Sequence, residues 1–201
     1  IVNGINQVNG TIQSTFEGYS IYLSNSITMS EESFTSIGTP NYVNGTISVS
    51  NENKAFQGTL DGQGYAISSL SISSSQSSGL FGYIGSKGTV KNLNINVNIS
   101  PLISFKDGES SYLGCIAGYN AGKIVNCCNN DSSTALSIQR SEDNVLLYFG
   151  GIVGYNSGTI VNSHNLRIVG SDFTGISSVS YVGGIAGKNC GNITMCYNKA
   201  S

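Results

Sequence analysis

The stretch GGIVGYNSGTIVNSHN, from Gly150 to Asn165, determines the fold of this chain. It holds four glycines, three asparagines and one histidine, and its apolar residues are single β-branched or aromatic positions between turn formers. Glycine and asparagine tolerate positive φ, whereas short runs such as GIVG and TIVN favour extended backbone. The stretch therefore predicts two short strands joined by a tight turn.

The same pattern occurs four times along the chain. The other copies are GLFGYIGSKGTVKNLNI from Gly79, GCIAGYNAGKIVNCCN from Gly114 and GGIAGKNCGNITMCYN from Gly183. Their anchoring glycines, Gly82, Gly118, Gly154 and Gly187, are 36, 36 and 33 residues apart. Four copies at a nearly fixed period of this length indicate a repeat protein.

A unit this small cannot bury its own apolar face, so we expect successive copies to stack and to align equivalent residues in columns. The expected columns are Gly118, Gly154 and Gly187; Ile116, Ile152 and Ile185; Ile124, Ile160 and Ile193; and two asparagine ladders, Asn120, Asn156 and Asn189, and Asn126 and Asn162. The fold class predicted is all-β, a parallel β-helix or β-solenoid, with a right-handed coil expected. The pattern favours one coil with a long loop per repeat over two small coils, but leaves both open.

Length and composition predict one domain, residues 1–201. Residues 1–55 are expected to form a non-repetitive lead-in or cap, and residues 56–201 the repeat coils. Only 10% of residues are charged and the net charge is −2, which argues against nucleic acid as a partner. No stretch reaches the roughly 18 apolar residues that a membrane-spanning helix needs, so direct membrane insertion is not expected.

The aligned copies resemble the GLUG repeat, a glycine-rich repeat of secreted and surface-anchored proteins. GGIVGYNSGTIVNSHN is similar to its usual form, and GGIAGKNCGNITMCYN keeps the Cys-Tyr-Asn ending. The segments FQGTLDGQGYAISSLSI, residues 56–72, and YSIYLSNSITMSEESFTSIGT, residues 19–39, resemble the sequence that precedes such repeats. The resemblance covers about residues 19–198 and implies a structural or adhesive stalk. Ser163, His164 and Lys188 depart from the usual residues.

We predict no catalytic residue, no metal ligand and no cofactor. Asp61 is interpreted as the carboxylate of an Asp-Gly turn that accepts backbone N–H groups rather than as a calcium ligand or catalytic acid. His164 aligns with Cys128 and Tyr197 and occupies a variable column of the repeat. The adjacent acids are interpreted as solvated loop residues: Glu31 and Glu32, Asp107 and Glu109, and Glu142 and Asp143.

Two modifications are candidates. N-x-S/T sequons at Asn9, Asn44, Asn98, Asn130 and Asn192 are candidate N-glycosylation sites. The odd count of five cysteines leaves at least one unpaired or paired between chains. Most are interpreted as small buried hydrophobes, and Cys190 with Cys196 is the candidate disulfide.

The function expected is a non-enzymatic, structural or adhesive module, secreted or at the cell surface. Its expected partners are other copies of the same chain, stacked end to end into a fibre, or other surface proteins and glycans. The open end expected after the fourth copy favours such stacking. The alternative is a carbohydrate-binding or polysaccharide-cleaving β-helix.

Overall fold

The computed structural model describes residues 7–8, 11–12, 15–29, 34–72, 76–99, 108–130, 136, 145–170 and 180–199. At residues 7, 8, 11, 12, 98 and 99 it describes the backbone alone. The described residues form strands and turns and no helix. The described part of the chain is therefore all-β, as predicted.

Four parallel sheets carry the fold, and each takes its strands from successive segments of the chain. Sheet 1 contains β3 (Ser20–Tyr22), β7 (Thr59–Asp61), β11 (Thr89–Lys91), β15 (Lys123–Val125), β19 (Thr159–Val161) and β23 (Asn192–Thr194). Sheet 2 contains β4 (Ile27–Thr28), β8 (Ala66–Ile72), β12 (Asn94–Ile99), β16 (Cys128–Asn129), β20 (His164–Asn165) and β24 (Tyr197–Asn198).

The other two sheets are shorter. Sheet 3 contains β9 (Ser77–Ser78), β13 (Ser110–Gly114), β17 (Leu146–Gly150) and β21 (Ser180–Gly183). Sheet 4 contains β10 (Phe81–Ile84), β14 (Ala117–Asn120), β18 (Val153–Asn156) and β22 (Ala186–Asn189). Two antiparallel hairpins, β1 (Gln7–Val8) with β2 (Thr11–Ile12) and β5 (Tyr42–Val43) with β6 (Thr46–Ile47), complete the described strands.

Each repeat adds one strand to each of the four sheets, in the same order. The chain passes from sheet 4 to sheets 1, 2 and 3 before it returns to sheet 4 about 36 residues later. The stacked parallel sheets are consistent with a β-solenoid that has one coil per repeat. Strands β3 and β4, within the expected lead-in, already extend sheets 1 and 2.

The core consists of columns of equivalent side chains, as the repeat predicted. In sheet 1 the aligned residues are Ile21, Leu60, Val90, Ile124, Ile160 and Ile193. The four central members are 0–5% exposed, and the two end members are partly buried against the same core. Burying such a side chain contributes about 1.5–3 kcal/mol, which a single coil cannot obtain alone.

Glycine is required where the coils approach closely. A Cβ added at Gly154 would lie 2.5 Å from the backbone nitrogen of Leu113 and 2.8 Å from the carbonyl oxygen of Gly118. No side chain fits at that distance, so the glycine column predicted from the sequence reflects close packing of neighbouring coils.

Two buried asparagine ladders join the coils. Asn120 Nδ2 donates to Asn156 Oδ1 at 2.7 Å, and Asn156 Nδ2 donates to Asn189 Oδ1 at 2.7 Å, which confirms a predicted ladder. A second ladder, not predicted, links Asn129 to Asn165 at 2.8 Å and Asn165 to Asn198 at 2.7 Å. In both ladders the hydrogen bonds between asparagine side chains are all donated towards the C-terminal coil.

The third ladder is exposed and runs the other way. Asn162 Nδ2 donates to Asn126 Oδ1 at 3.3 Å, as predicted, and Asn126 Nδ2 donates to Asn92 Oδ1 at 2.9 Å. Its asparagines turn the chain between sheets 1 and 2 with φ of 48–54°. Asparagine adopts this left-handed conformation more readily than most residues, so the ladder also forms the corner. Met195 occupies the equivalent corner of the last coil with φ of 52°.

One coil contains an insertion. Ile37 pairs with Phe81 and Phe56 pairs with Ile84, so Ile37 and Phe56 both occupy the strand position next to β10 in sheet 4. Residues 38–55, here called the insertion, leave the stack between them and carry the hairpin β5–β6. Its turn, Asn44 and Gly45, has φ of 50° and 75°, as expected for a two-residue hairpin turn of type I′.

We predict that Asn156→Ala lowers the free energy of unfolding by about 2–4 kcal/mol, because the buried amide of Asn120 then loses its acceptor. Urea unfolding followed by circular dichroism measures the change. Asn162→Gly is the matched control, since it removes an exposed ladder amide and tolerates positive φ; it should change stability by less than about 1 kcal/mol. Equal effects of the two substitutions would contradict the ladder's role.

Candidate functional site

Two columns of tyrosines lie side by side on sheets 3 and 4. Sheet 4 aligns Tyr83, Tyr119 and Tyr155, with Lys188 in the next coil. Sheet 3 aligns Tyr112, Tyr148 and Tyr181. The two sheets are joined by two-residue turns such as Cys115–Ile116, so the columns are neighbours. These six tyrosines are called the tyrosine face.

The rings hold one another in fixed positions. Along the columns three of the four neighbouring pairs stack, with ring centres 4.8 Å apart for Tyr119 and Tyr155 and 5.2 Å apart for Tyr148 and Tyr181. Tyr83 and Tyr119 instead meet edge to face at 5.2 Å and 80°. Across the columns they meet edge to face, for example Tyr148 and Tyr155 at 5.5 Å and 84°. Each such pair contributes about 0.5–1.5 kcal/mol beyond its buried area, so the face is preorganised.

The insertion covers the N-terminal half of the tyrosine face. Ala55, Tyr42 and Ile47 pack in the same cluster as Tyr83 and Tyr112. Tyr83, Tyr112 and Tyr119 are consequently 0–6% exposed. Burial raises the pKa of the Tyr83, Tyr112 and Tyr119 hydroxyls above the ordinary tyrosine value.

Glu52 links the insertion to the stacked coils through hydrogen bonds. Its Oε1 accepts hydrogen bonds from Tyr83 Oη at 3.0 Å and from the backbone nitrogen of Ser86 at 2.9 Å. Its Oε2 accepts hydrogen bonds from Gln57 Nε2 and Ser86 Oγ, both at 2.7 Å. Partial burial raises the pKa of Glu52, but these hydrogen bonds outweigh it and the net pKa lies below the usual value.

The C-terminal half of the tyrosine face is partly open to solvent. Tyr148 is only 6% exposed, but Tyr155 is half-buried and Tyr181 is 43% exposed. Lys188 Nζ lies 5.6 Å from the ring centre of Tyr148 and 5.5 Å from that of Tyr155, within cation–π range. Tyr155 Oη donates a hydrogen bond to Cys190 Sγ at 3.2 Å. Aromatic rings, hydroxyl groups and the ammonium group of Lys188 therefore form the uncovered surface.

Asp61 ends the exposed asparagine ladder. Its Oδ1 accepts hydrogen bonds from Asn92 Nδ2 and from the backbone nitrogen of Gln63, both at 3.0 Å, and its Oδ2 lies 3.2 Å from Lys91 Nζ. The hydrogen bond from Asn92, followed by those from Gln63 and Lys91, lowers the pKa of Asp61 in spite of burial. Asp61 accepts the backbone N–H of Gln63, as expected for the carboxylate of an Asp-Gly turn.

His164 lies in the expected column. It pairs in register with Cys128 and Tyr197, and its ring stacks on that of Tyr197 at 4.7 Å and 4°. Among the described residues, no three His, Cys, Asp or Glu side chains come together as a metal site. The acids Glu31, Glu32, Asp107, Glu142 and Asp143 lie outside the described residues.

Three of the five cysteines are buried, as interpreted from the sequence. Burial raises the pKa of Cys115 and Cys127 to about 12 and that of Cys128 to about 11, so these thiols are protonated at neutral pH. Cys190 and Cys196 are free thiols with separate partners. Cys196 Sγ donates to the carbonyl oxygen of Thr194 at 3.3 Å, whereas Cys190 accepts from Tyr155. A disulfide between the two stays a prediction.

Three sequons lie on described side chains. Asn44, Asn130 and Asn192 are exposed, so an attached glycan would extend into solvent. Asn9 and the side chain of Asn98 lie outside the described residues. Glycosylation stays a prediction at all five positions.

A cavity of about 320 Å³ lies at the N-terminal end of the stack. Its lining is largely apolar and includes Phe16, Ile21, Ile27 and Phe56. These residues belong to the first members of the core columns, so the cavity marks the place where the columns begin.

Comparison with protein-family models, with curated proteins and with solved structures finds no match to this chain. Within the described parts of the chain, no helix is long and apolar enough to cross a membrane. The tyrosine face was not predicted, although a signal for it exists in the sequence. A tyrosine precedes the first glycine of the last three copies by two residues, in SYLG, LYFG and SYVG.

We predict that Glu52→Gln loosens the insertion, because one amide oxygen cannot replace a carboxylate that accepts four hydrogen bonds. The chain has no tryptophan, so acrylamide quenching of tyrosine fluorescence measures exposure of its eleven tyrosines, six of which form the tyrosine face. We expect greater quenching and a loss of about 1–2 kcal/mol of stability at pH 7.

The pH dependence follows from the lowered pKa of Glu52. The contribution of Glu52 is complete above the unfolded value near 4.5 and disappears as the pH falls through the folded value. The difference between the wild type and Glu52→Gln should therefore shrink below about pH 4.5. Glu17→Gln, which removes an exposed acid paired with Lys87, is the control. An unchanged difference at pH 3 and pH 7 would refute this role.

Proposed function

We propose that this chain is a non-enzymatic, structural or adhesive module built from GLUG-type repeats, and that its coils form a right-handed parallel β-helix. The repeated frame and the coil-by-coil order of the four sheets support the architecture. Right-handed connections between parallel strands of one sheet are the rule in proteins, which supports the handedness.

The open half of the tyrosine face is the observation that carries the adhesive role. Tyrosine supplies a large contact area at low cost in side-chain entropy, and it is enriched in binding surfaces. Tyr155 and Tyr181 are held by stacking on a sheet rather than on a mobile loop. Lys188 adds a positive charge to the same surface, in a chain whose net charge is −2. A surface protein or glycan with acidic groups suits this combination.

The proposed adhesive role implies a secreted or cell-surface location. The exposed asparagines of three sequons, the low fraction of charged residues and the resemblance to GLUG repeats support it. The partners proposed are other surface molecules and further coils of the same type.

Carbohydrate binding is the second candidate. The exposed ring of Tyr181 and the ammonium group of Lys188 support an acidic saccharide as the ligand, since aromatic rings pack on sugar C–H groups and the ammonium group pairs with a carboxylate. Polysaccharide cleavage has less support, because Asp61 uses its oxygens within the fold.

We predict that Tyr181→Ser combined with Lys188→Ser reduces adhesion about tenfold or more, because two central contacts are lost together. Retention of the purified chain on cell surfaces and on an array of neutral and acidic glycans measures the effect. Tyr22→Ser is the matched control, since Tyr22 is 62% exposed on sheet 1, away from the tyrosine face. Adhesion that survives the double substitution, or a wild type that binds no surface, would refute the adhesive role.

A further inference from the structure

The last described coil offers four strand edges at one end of the stack. Strands β21, β22, β23 and β24, here called the C-terminal face, are terminal in their sheets and pair with one described strand each. The inward side chains Ile185, Ile193 and Cys196 are only partly buried there, whereas Ile152 and Ile160 in the preceding coil are 0% exposed. The described part of this face thus has the edges and the apolar surface on which a further coil can stack.

The buried ladders determine which hydrogen-bonding groups this face presents to a further coil. Asn156 donates to Asn189 and Asn165 donates to Asn198, so the side-chain oxygens of Asn189 and Asn198 already accept a hydrogen bond from the preceding coil. Asn189 Nδ2 donates one N–H to the carbonyl oxygen of Gly191 at 3.1 Å, and an amide has a second N–H to donate. Asn198 Nδ2 has no acceptor among the described residues. In the preceding coil the equivalent amides of Asn156 and Asn165 donate to the coil that follows, so the amides of Asn189 and Asn198 can donate to a further coil in the same way.

The opposite end of the second ladder illustrates the cost of stacking an asparagine on an apolar residue. Asn129 comes after Ile95 in the same column, and its Oδ1 is buried without a hydrogen-bond partner among the described residues. An unpaired buried polar group of this kind costs about 1–3 kcal/mol. A coil stacked on the C-terminal face would incur a similar cost at each ladder position where it lacked an acceptor.

A second copy of this chain does not supply these acceptors at its N-terminal end. The column of Asn129 continues through Ile95 and Ile67 to Ile27. The column of Asn120 continues through Ile84 to Phe56. Head-to-tail stacking of two copies would place Asn198 against Ile27 and Asn189 against Phe56.

We propose that the C-terminal face is an interaction surface for a parallel β-coil that carries asparagine at both ladder positions, in preference to the N-terminal end of a second copy of this chain. The inference rests on the proposed β-helix and specifies the partner of its C-terminal end. The partner's two amide oxygens accept from Asn189 and Asn198, and its apolar residues extend the columns of Ile185 and Ile193.

Extending the chain tests this inference. Residues 167–199 are repeated after Lys199, in one version unchanged and in a second version with the added copies of Asn189 and Asn198 replaced by isoleucine. We expect the asparagine version to unfold at a Tm about 4 °C or more above that of the isoleucine version, although isoleucine is the more hydrophobic residue. Chymotrypsin should cleave the added coil more slowly in the asparagine version. A Tm for the isoleucine version that equals or exceeds that of the asparagine version would overturn the proposal.

Self-association of the unextended chain provides the second test. Sedimentation velocity should show no growth of filaments with concentration in the wild type, and increased association for Asn198→Ile, which matches Ile27. Asn192→Ile adds the same apolar side chain at an exposed position of β23 and is the control. Filaments of the wild type that Asn198→Ile abolishes would show that the two ends of this chain recognise each other, and would overturn the inference. Neither experiment tests adhesion through Tyr181 and Lys188. The proposed adhesive function and the inference about the C-terminal face can therefore fail independently of each other.

Discussion

The hydrogen bond between two asparagine side chains one coil apart is the interaction that fixes the arrangement of the other columns in the last three coils. Backbone pairing alone would allow neighbouring parallel strands to slip, since their apolar residues are similar in every coil. A buried amide that must meet another amide permits a single register. With Asn120, Asn156 and Asn189 aligned, the isoleucine, glycine and tyrosine columns come into phase as well.

The register of the core strands also positions the tyrosines on the surface. Because sheets 3 and 4 keep their register through four coils, tyrosines about 36 residues apart stack with ring centres 4.8–5.2 Å apart. The insertion then divides that surface into a covered half, held by Glu52, and an open half that ends at Tyr181 and Lys188. The rings of the open half are held by stacking and edge-to-face contacts, which suits a surface that binds without first becoming ordered.

Features that recur from copy to copy could be predicted from the sequence, and features that occur once could not. The columns of Ile124, Ile160 and Ile193 and the ladder through Asn156 followed from alignment of the copies. The ladder of Asn129, Asn165 and Asn198 has the same repeated signal, but its asparagines stand at the last position of each copy, beyond the aligned glycine and isoleucine positions. The insertion has no repeated signal: Ile37 and Phe56 share one strand position although 18 residues separate them. The role of Glu52 depends on partners up to 34 residues away, which no local pattern shows.

Hydrogen–deuterium exchange of asparagine side-chain amides, followed by NMR, is the sharpest test of whether the buried ladders hold the coils in register. We expect the amides of Asn120, Asn129, Asn156 and Asn165 to exchange about a thousandfold more slowly than those of the exposed Asn44 and Asn130, because they exchange only when the coils separate. Exchange of all these amides at similar rates would show that the buried ladders do not hold the coils in register.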